Sequence, residues 1–221
     1  MGYYLDLTQV SLDQYRDILR EQILLPSRVV LRERSGKYFD SLKQFGLKTL
    51  QELIQALSST KRMNDVSVQT DIPFEYLNLL RRELGSIQPK VLSLGEFEPF
   101  FSELVLFLRK EGFQTTKELF EQEEHLLKLI KDKPNYIQDF KVLFCLCDLI
   151  RINGVGPLAA LSFYEAGYSS LESIAKATSS QMLIDVTKVN EVKHYYQTKL
   201  GLKDFQFCID YALRFQRFTH F

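Results

Sequence analysis

Three stretches of this 221-residue chain share one grammar, and that grammar restricts the fold more than any other feature. They are YFDSLKQFGLKTLQELIQAL, ELVLFLRKEGFQTTKELFEQ and LSFYEAGYSSLESIAKAT. Each runs from an amphipathic helix into a glycine, at Gly46, Gly112 and Gly167. An apolar residue follows at once (Leu47, Phe113, Tyr168), and a hydroxyl residue stands three places after the glycine (Thr49, Thr115, Ser170). A further apolar residue comes at Leu53, Leu119 and Ile174. A glycine can take the left-handed conformation that ends a helix, and the apolar residue after it packs back on that helix. The hydroxyl then caps the next helix. Thr49 with Glu52 and Thr115 with Glu118 have capping-box spacing. In the third stretch Ser170 is the positional match and Ser173 stands where Glu would, while Ser169 with Glu172 offers a box one residue out of register. Each stretch therefore reads as a tight helix pair.

The rest of the chain is patterned in the same way. In SLDQYRDILREQILL, residues Leu12, Tyr15, Ile18, Leu19 and Ile23 form one stripe behind a Ser11 cap. Strand signals are thin: the alternating VSVQT at residues 66–70 is short, and no Asn-Gly or Asp-Gly hairpin turn separates alternating runs. The expected class is all-α, built of tandem helical repeats. Gly85–Pro99 has two Gly, two Pro and no period, so a boundary is expected there, between an N-terminal unit at 1–90 and a C-terminal domain at 91–221.

Composition excludes several functions. Lys plus Arg and Asp plus Glu both number 28, so global charge draws the chain to no polyanion, and nucleic acid would need a local patch. The longest apolar run, residues 142–150, is too short to span a bilayer, and the N-terminus lacks the pattern of a secretory signal, so a cytoplasmic protein without membrane contact is expected. Cys145, Cys147 and Cys208 form no CxxC pair, and His125, His194 and His220 share no ligand spacing with them, so no metal or other cofactor is expected. Walker, GxGxxG, GxSxG and HExxH motifs are missing. An enzyme with a small-molecule substrate is not expected.

The segment INGVGPLAA, Ile152 to Ala160, follows the pattern apolar-x-Gly-apolar-Gly-x-x-x-Ala between two apolar helices. It resembles the hairpin of the helix-hairpin-helix superfamily, and the repeated glycine-capped pairs resemble the bacterial domain-of-unknown-function family numbered 4332. The resemblance is best over residues 142–214 and weaker over residues 28–83, where Glu33 and Ser35 stand in place of the hairpin glycines. It implies contact with the backbone of duplex DNA, without sequence readout, through Asn153, Gly154, Val155 and Gly156, with Arg151 assisting. Such affinity would fall steeply with salt. Members that bind nucleic acid carry a Lys or Arg just after the second glycine, whereas this chain has Pro157 and Leu158. Arg28, Arg32, Arg34, Lys37, Lys43 and Lys48 form a second candidate patch, for a phosphate backbone or an acidic protein, or a solvated helix face. The alternative function is a helical scaffold that binds protein and no nucleic acid. The C-terminal FQRFTHF, with Phe215, Phe218 and Phe221 beside Arg214 and Arg217, is either docked on the core or a partner-binding end.

Overall fold

The computed structural model describes residues 2–219 except Ile23 and Leu25, with side chains as far as Gln216. The described residues contain α- and 3-10 helices and no strand. They divide into two compact units, one of Leu5–Ile87 and one in which residues 2–4 join the chain from Gln88 onward. Ile23, Arg217, Phe218, His220 and Phe221, which figured in the expectations above, fall outside the described residues or side chains.

In the Leu5–Ile87 unit the helices are α1 (Leu12–Glu21), α2 (Val29–Glu33), α3 (Ser35–Gln44), α4 (Leu50–Ala56), α5 (Thr60–Thr70) and α6 (Phe74–Leu84). Helix α1 starts with a capping box in which Ser11 accepts from the Gln14 N–H, and its stripe of Leu12, Tyr15, Ile18 and Leu19 is buried. It packs on α3, as α5 does on α6. Residues 66–70, the short alternating stretch, are the last turns of α5. A Ser59 cap starts that helix, and Asp71 ends it at φ +55°. Five residues of alternation are too few to outweigh a capped helix with Met63 and Val66 on its buried side.

The second unit holds α7 (Glu98–Lys110), α8 (Thr116–Glu121), α9 (Glu123–Ile130), α10 (Pro134–Leu149), α11 (Pro157–Glu165), α12 (Leu171–Ala175), α13 (Ser179–Lys193) and α14 (Leu202–Thr219). Helix α10 is central. It packs on α7, α8 and α11, while α14 covers α12 and α13. Prolines punctuate the helices as their geometry demands, with Pro99, Pro134 and Pro157 in first turns, where a missing N–H costs nothing.

The three glycine turns are built alike. Gly46, Gly112 and Gly167 have φ of +104°, +97° and +94°. In each, the glycine N–H reaches the carbonyl three residues back (Lys43, Arg109, Tyr164), and the next N–H reaches five back (Leu42, Leu108, Phe163), which is a Schellman closure. Thr49, Thr115 and Ser170 then form full capping boxes with Glu52, Glu118 and Ser173. The third box is therefore Ser170 with Ser173, because Ser170 rather than Ser169 is the N-cap of α12. The Glu118 carboxyl is held below the usual glutamate range, chiefly because it accepts from the Gln114 N–H.

A shared support for these turns has no counterpart in the sequence reading. Leu50, Thr116 and Leu171 are the first residues of α4, α8 and α12, and each N–H needs an acceptor from outside its helix. Leu50 donates to the Val10 carbonyl and Thr116 to the Leu92 carbonyl, each within a short antiparallel bridge (Ser11 with Thr49, Ser93 with Thr115). Leu171 donates instead to the Asp148 carboxylate at 2.8 Å.

A Cβ on Gly112 would meet nothing within 4 Å, so replacement strains the backbone alone. Gly112→Ala is expected to cost about 1–2 kcal/mol. Gly156→Ala, at φ −96°, should cost less than about 0.5 kcal/mol. Urea midpoints of the two variants, compared at equal slope, check this.

Candidate functional site

Helix α10 ends at Leu149, and tight turns carry the chain through the hairpin. The N–H groups of Arg151 and Ile152 donate to the Asp148 and Leu149 carbonyls, and that of Val155 to Ile152. Gly154 lies at the exposed tip with φ +91°, and a side chain there would be strained. Gly156 is the N-cap of α11, with no side-chain cap. The backbone N–H groups of Gly154, Gly156, Leu158 and Ala159 have no acceptor among the described residues. This differs from α4, α8 and α12, whose first turns are each closed by a hydroxyl. Four main-chain donors at a positive helix end can hold an anion.

Of the residues assigned to this site, Gly154 is exposed and Asn153 and Gly156 half-buried, whereas Val155 is 8% exposed and its N–H is taken by the Ile152 carbonyl, so it offers no donor. Arg151 does not belong to it. Its side chain is fully buried and donates to the Tyr3 carbonyl at 3.2 Å, the Gly2 carbonyl at 3.1 Å and the Asp148 carboxylate at 2.7 Å. The guanidinium carbon lies 4.5 Å from the centres of both the Phe120 and Phe215 rings. Every direction in which this group donates is occupied by protein, so it cannot reach a phosphate at the hairpin. Tyr3, whose carbonyl it holds, is itself buried. Its hydroxyl donates to the Lys90 carbonyl at 2.7 Å, and burial pushes its pKa up to about 12.

Residues 148–193 match the SAM-like helix-hairpin-helix tandem family. The match runs from Asp148 through the hairpin and the Gly167 turn to the end of α13, so it covers two glycine turns in succession. Comparisons with curated proteins and with solved structures gave no match.

Surroundings of the helix-hairpin-helix segment are apolar. A cleft of about 780 Å³ beside it is lined by Pro99, Phe100, Pro157, Leu158, Tyr196 and Leu200, and its charged lining residue is Glu96. Leu158, where nucleic-acid-binding hairpins carry a cation, is 42% exposed.

The six-residue basic patch of the Leu5–Ile87 unit does not form as expected. Arg28 is paired with Glu83, and Arg32 donates to the Leu19 and Gln22 carbonyls. Lys43 bridges Asp13 at 2.8 Å and Asp40 at 3.0 Å. Arg34, Lys37 and Lys48 are exposed. Internal acceptors consume the other three because α2 and α3 are packed elements, with Arg34 alone between them. Glu33 and Ser35, aligned with the hairpin glycines, sit in those two helices rather than in a turn. Ser35 is buried and donates to the Arg32 carbonyl.

Cys147 and Cys208 are buried, and Cys145 partly so. Burial raises all three thiols, Cys208 to about 12, which keeps them protonated and unreactive. Asp185 accepts from the Tyr168 hydroxyl at 2.9 Å and from the Gln181 amide. No group of three His, Cys, Asp or Glu suited to a metal ion occurs among the described residues. No described helix is long and apolar enough to cross a membrane.

Proposed function

We propose that this is a non-enzymatic protein whose helix-hairpin-helix segment holds the phosphate backbone of duplex nucleic acid, without sequence readout, through main-chain N–H groups. The observation that carries this is the open first turn of α11, with the N–H groups of Gly154, Gly156, Leu158 and Ala159 uncommitted while the comparable turns are closed by Thr or Ser. With Arg151 buried and Leu158 uncharged, such contacts release few counterions. Salt dependence is then shallow, with a log–log slope of about −1 to −2, rather than the steep fall that a cationic hairpin gives.

Anisotropy of a labelled random duplex, titrated at low and moderate salt, tests this. Wild-type protein is expected to bind weakly at low salt. Leu158→Lys should bind about tenfold tighter and steepen the slope by about 0.9, because one more phosphate is neutralised. Gly154→Glu should lose binding. Absence of binding by both the wild type and Leu158→Lys at low salt would defeat the proposal.

A second reading, a protein-binding scaffold, is favoured by the apolar cleft beside the hairpin and by the exposed Leu158. Under it, Leu158→Lys leaves duplex binding absent.

A further inference from the structure

The unit formed by residues 2–4 and the chain from Gln88 has a second cleft, of about 950 Å³, which the proposed function does not use. Its walls come from the end of α8, the start of α9, the C-terminal end of α10, the start of α12 and α14 near Phe215. Two properties are combined there. The first is aromatic: Phe120 and Phe144 are stacked, with ring planes 2° apart and centroids 5.4 Å apart, and Phe144 is half-buried. The second is acidic. Glu121, Glu123, Glu124, Asp148 and Glu172 line the cleft, against Lys128 and Arg151. Glu121 is engaged with Lys117, Asp148 with Arg151 and Glu172 with Lys176. Glu123 and Glu124 are exposed and form no salt bridge among the described residues.

The cleft also contains an example of what these walls hold. Arg151 lies in its floor with its guanidinium 4.5 Å from the centres of Phe120 and Phe215 and one edge on the Asp148 carboxylate. A planar, weakly hydrated cation against aromatic faces, with carboxylate at its rim, is therefore already realised by this chemistry. The rest of the lining offers the same chemistry in half-buried Phe144, which packs between Phe120 and Phe140, and in the Glu123 and Glu124 carboxylates.

The geometry points to this cleft as a binding site for an arginine side chain on a basic segment of a partner polypeptide. Charge complementarity selects a basic segment. The aromatic wall selects arginine over lysine, because a guanidinium stacks on a ring and also forks to a carboxylate, whereas an ammonium is a hydrated point charge. The inference is independent of the hairpin, which is built from other residues.

The test uses a fluorescein-labelled peptide with two arginines in a Gly-Ser background and its lysine counterpart, titrated by anisotropy against the full chain. The arginine peptide is expected to bind about fivefold tighter than the lysine peptide. Phe144→Leu should remove that discrimination. Glu123→Gln with Glu124→Gln, a pair of exposed changes that leave folding intact, should weaken both peptides. Equal binding of the two peptides by wild type, or arginine-peptide binding unchanged in the Glu123→Gln/Glu124→Gln variant, would overturn the assignment. Sedimentation at rising concentration covers the remaining occupant: self-association that the arginine peptide dissolves would give the cleft to a second copy of this chain and overturn the partner assignment.

Discussion

Arg151→Met is expected to destabilise the unit that contains the hairpin by about 3–5 kcal/mol. Arginine is rarely buried outright, and here each of its three nitrogens donates to an acceptor: the Tyr3 and Gly2 carbonyls and the Asp148 carboxylate. Methionine fills a similar volume but leaves the buried Tyr3 carbonyl and the largely buried Asp148 carboxylate unpaired, which is the costly way to break a buried pair. Asp148 also closes the first turn of α12 through the Leu171 N–H, so the loss extends to the Gly167 helix pair. Thermal unfolding followed by circular dichroism should show a fall of roughly 10 °C. Deleting residues 1–4 should reproduce part of the loss, and the two changes together should cost less than their sum, because they remove the same contacts. A midpoint within about 2 °C of wild type would mean that the buried guanidinium contributes nothing net.

Leu119→Ala and Leu53→Ala are expected to cost about 2–5 kcal/mol each. Both side chains are at 0% exposure, four residues after the capping hydroxyl, where the second helix of each glycine turn meets the core. Truncation removes buried methyl groups and leaves a cavity that rigid, capped helices are poorly able to close. The two substitutions fall in different compact units. Hydrogen exchange should therefore show lost protection within 5–87 for Leu53→Ala and in the other unit for Leu119→Ala. Costs below about 1 kcal/mol would show that these turns do not anchor the cores.

What could be read from the residues follows from where the physics is local. The glycine turns were legible because a positive φ, a Schellman closure and a capping box each demand particular residue types at fixed offsets. The hairpin at Gly154 and Gly156 was legible for the same reason. The bridges that hold Leu50 and Thr116 were not, since main-chain pairing places no demand on side chains, although VSL at residues 10–12 and LSL at residues 92–94 carry a trace of it. Arg151 was misread because adjacency to an anion-binding turn is a local argument, whereas its partners Gly2 and Tyr3 lie 149 and 148 residues away in sequence. Likewise the cations at Arg28, Arg32 and Lys43 looked free until Glu83, the Gln22 carbonyl and Asp13 were brought to them by folding.

Holding the Gly2 and Tyr3 carbonyls on Arg151 has a temporal consequence. During synthesis these residues leave the ribosome well before the arginine they serve has been made. The Leu5–Ile87 unit can form its own core in that interval, but the unit around Arg151 cannot finish until the nascent chain has passed the hairpin. A chain begun at residue 88, made to study the helix-hairpin-helix segment alone, would lack both carbonyls and should be supplied with residues 1–4 as a separate peptide or through a short permuted linkage.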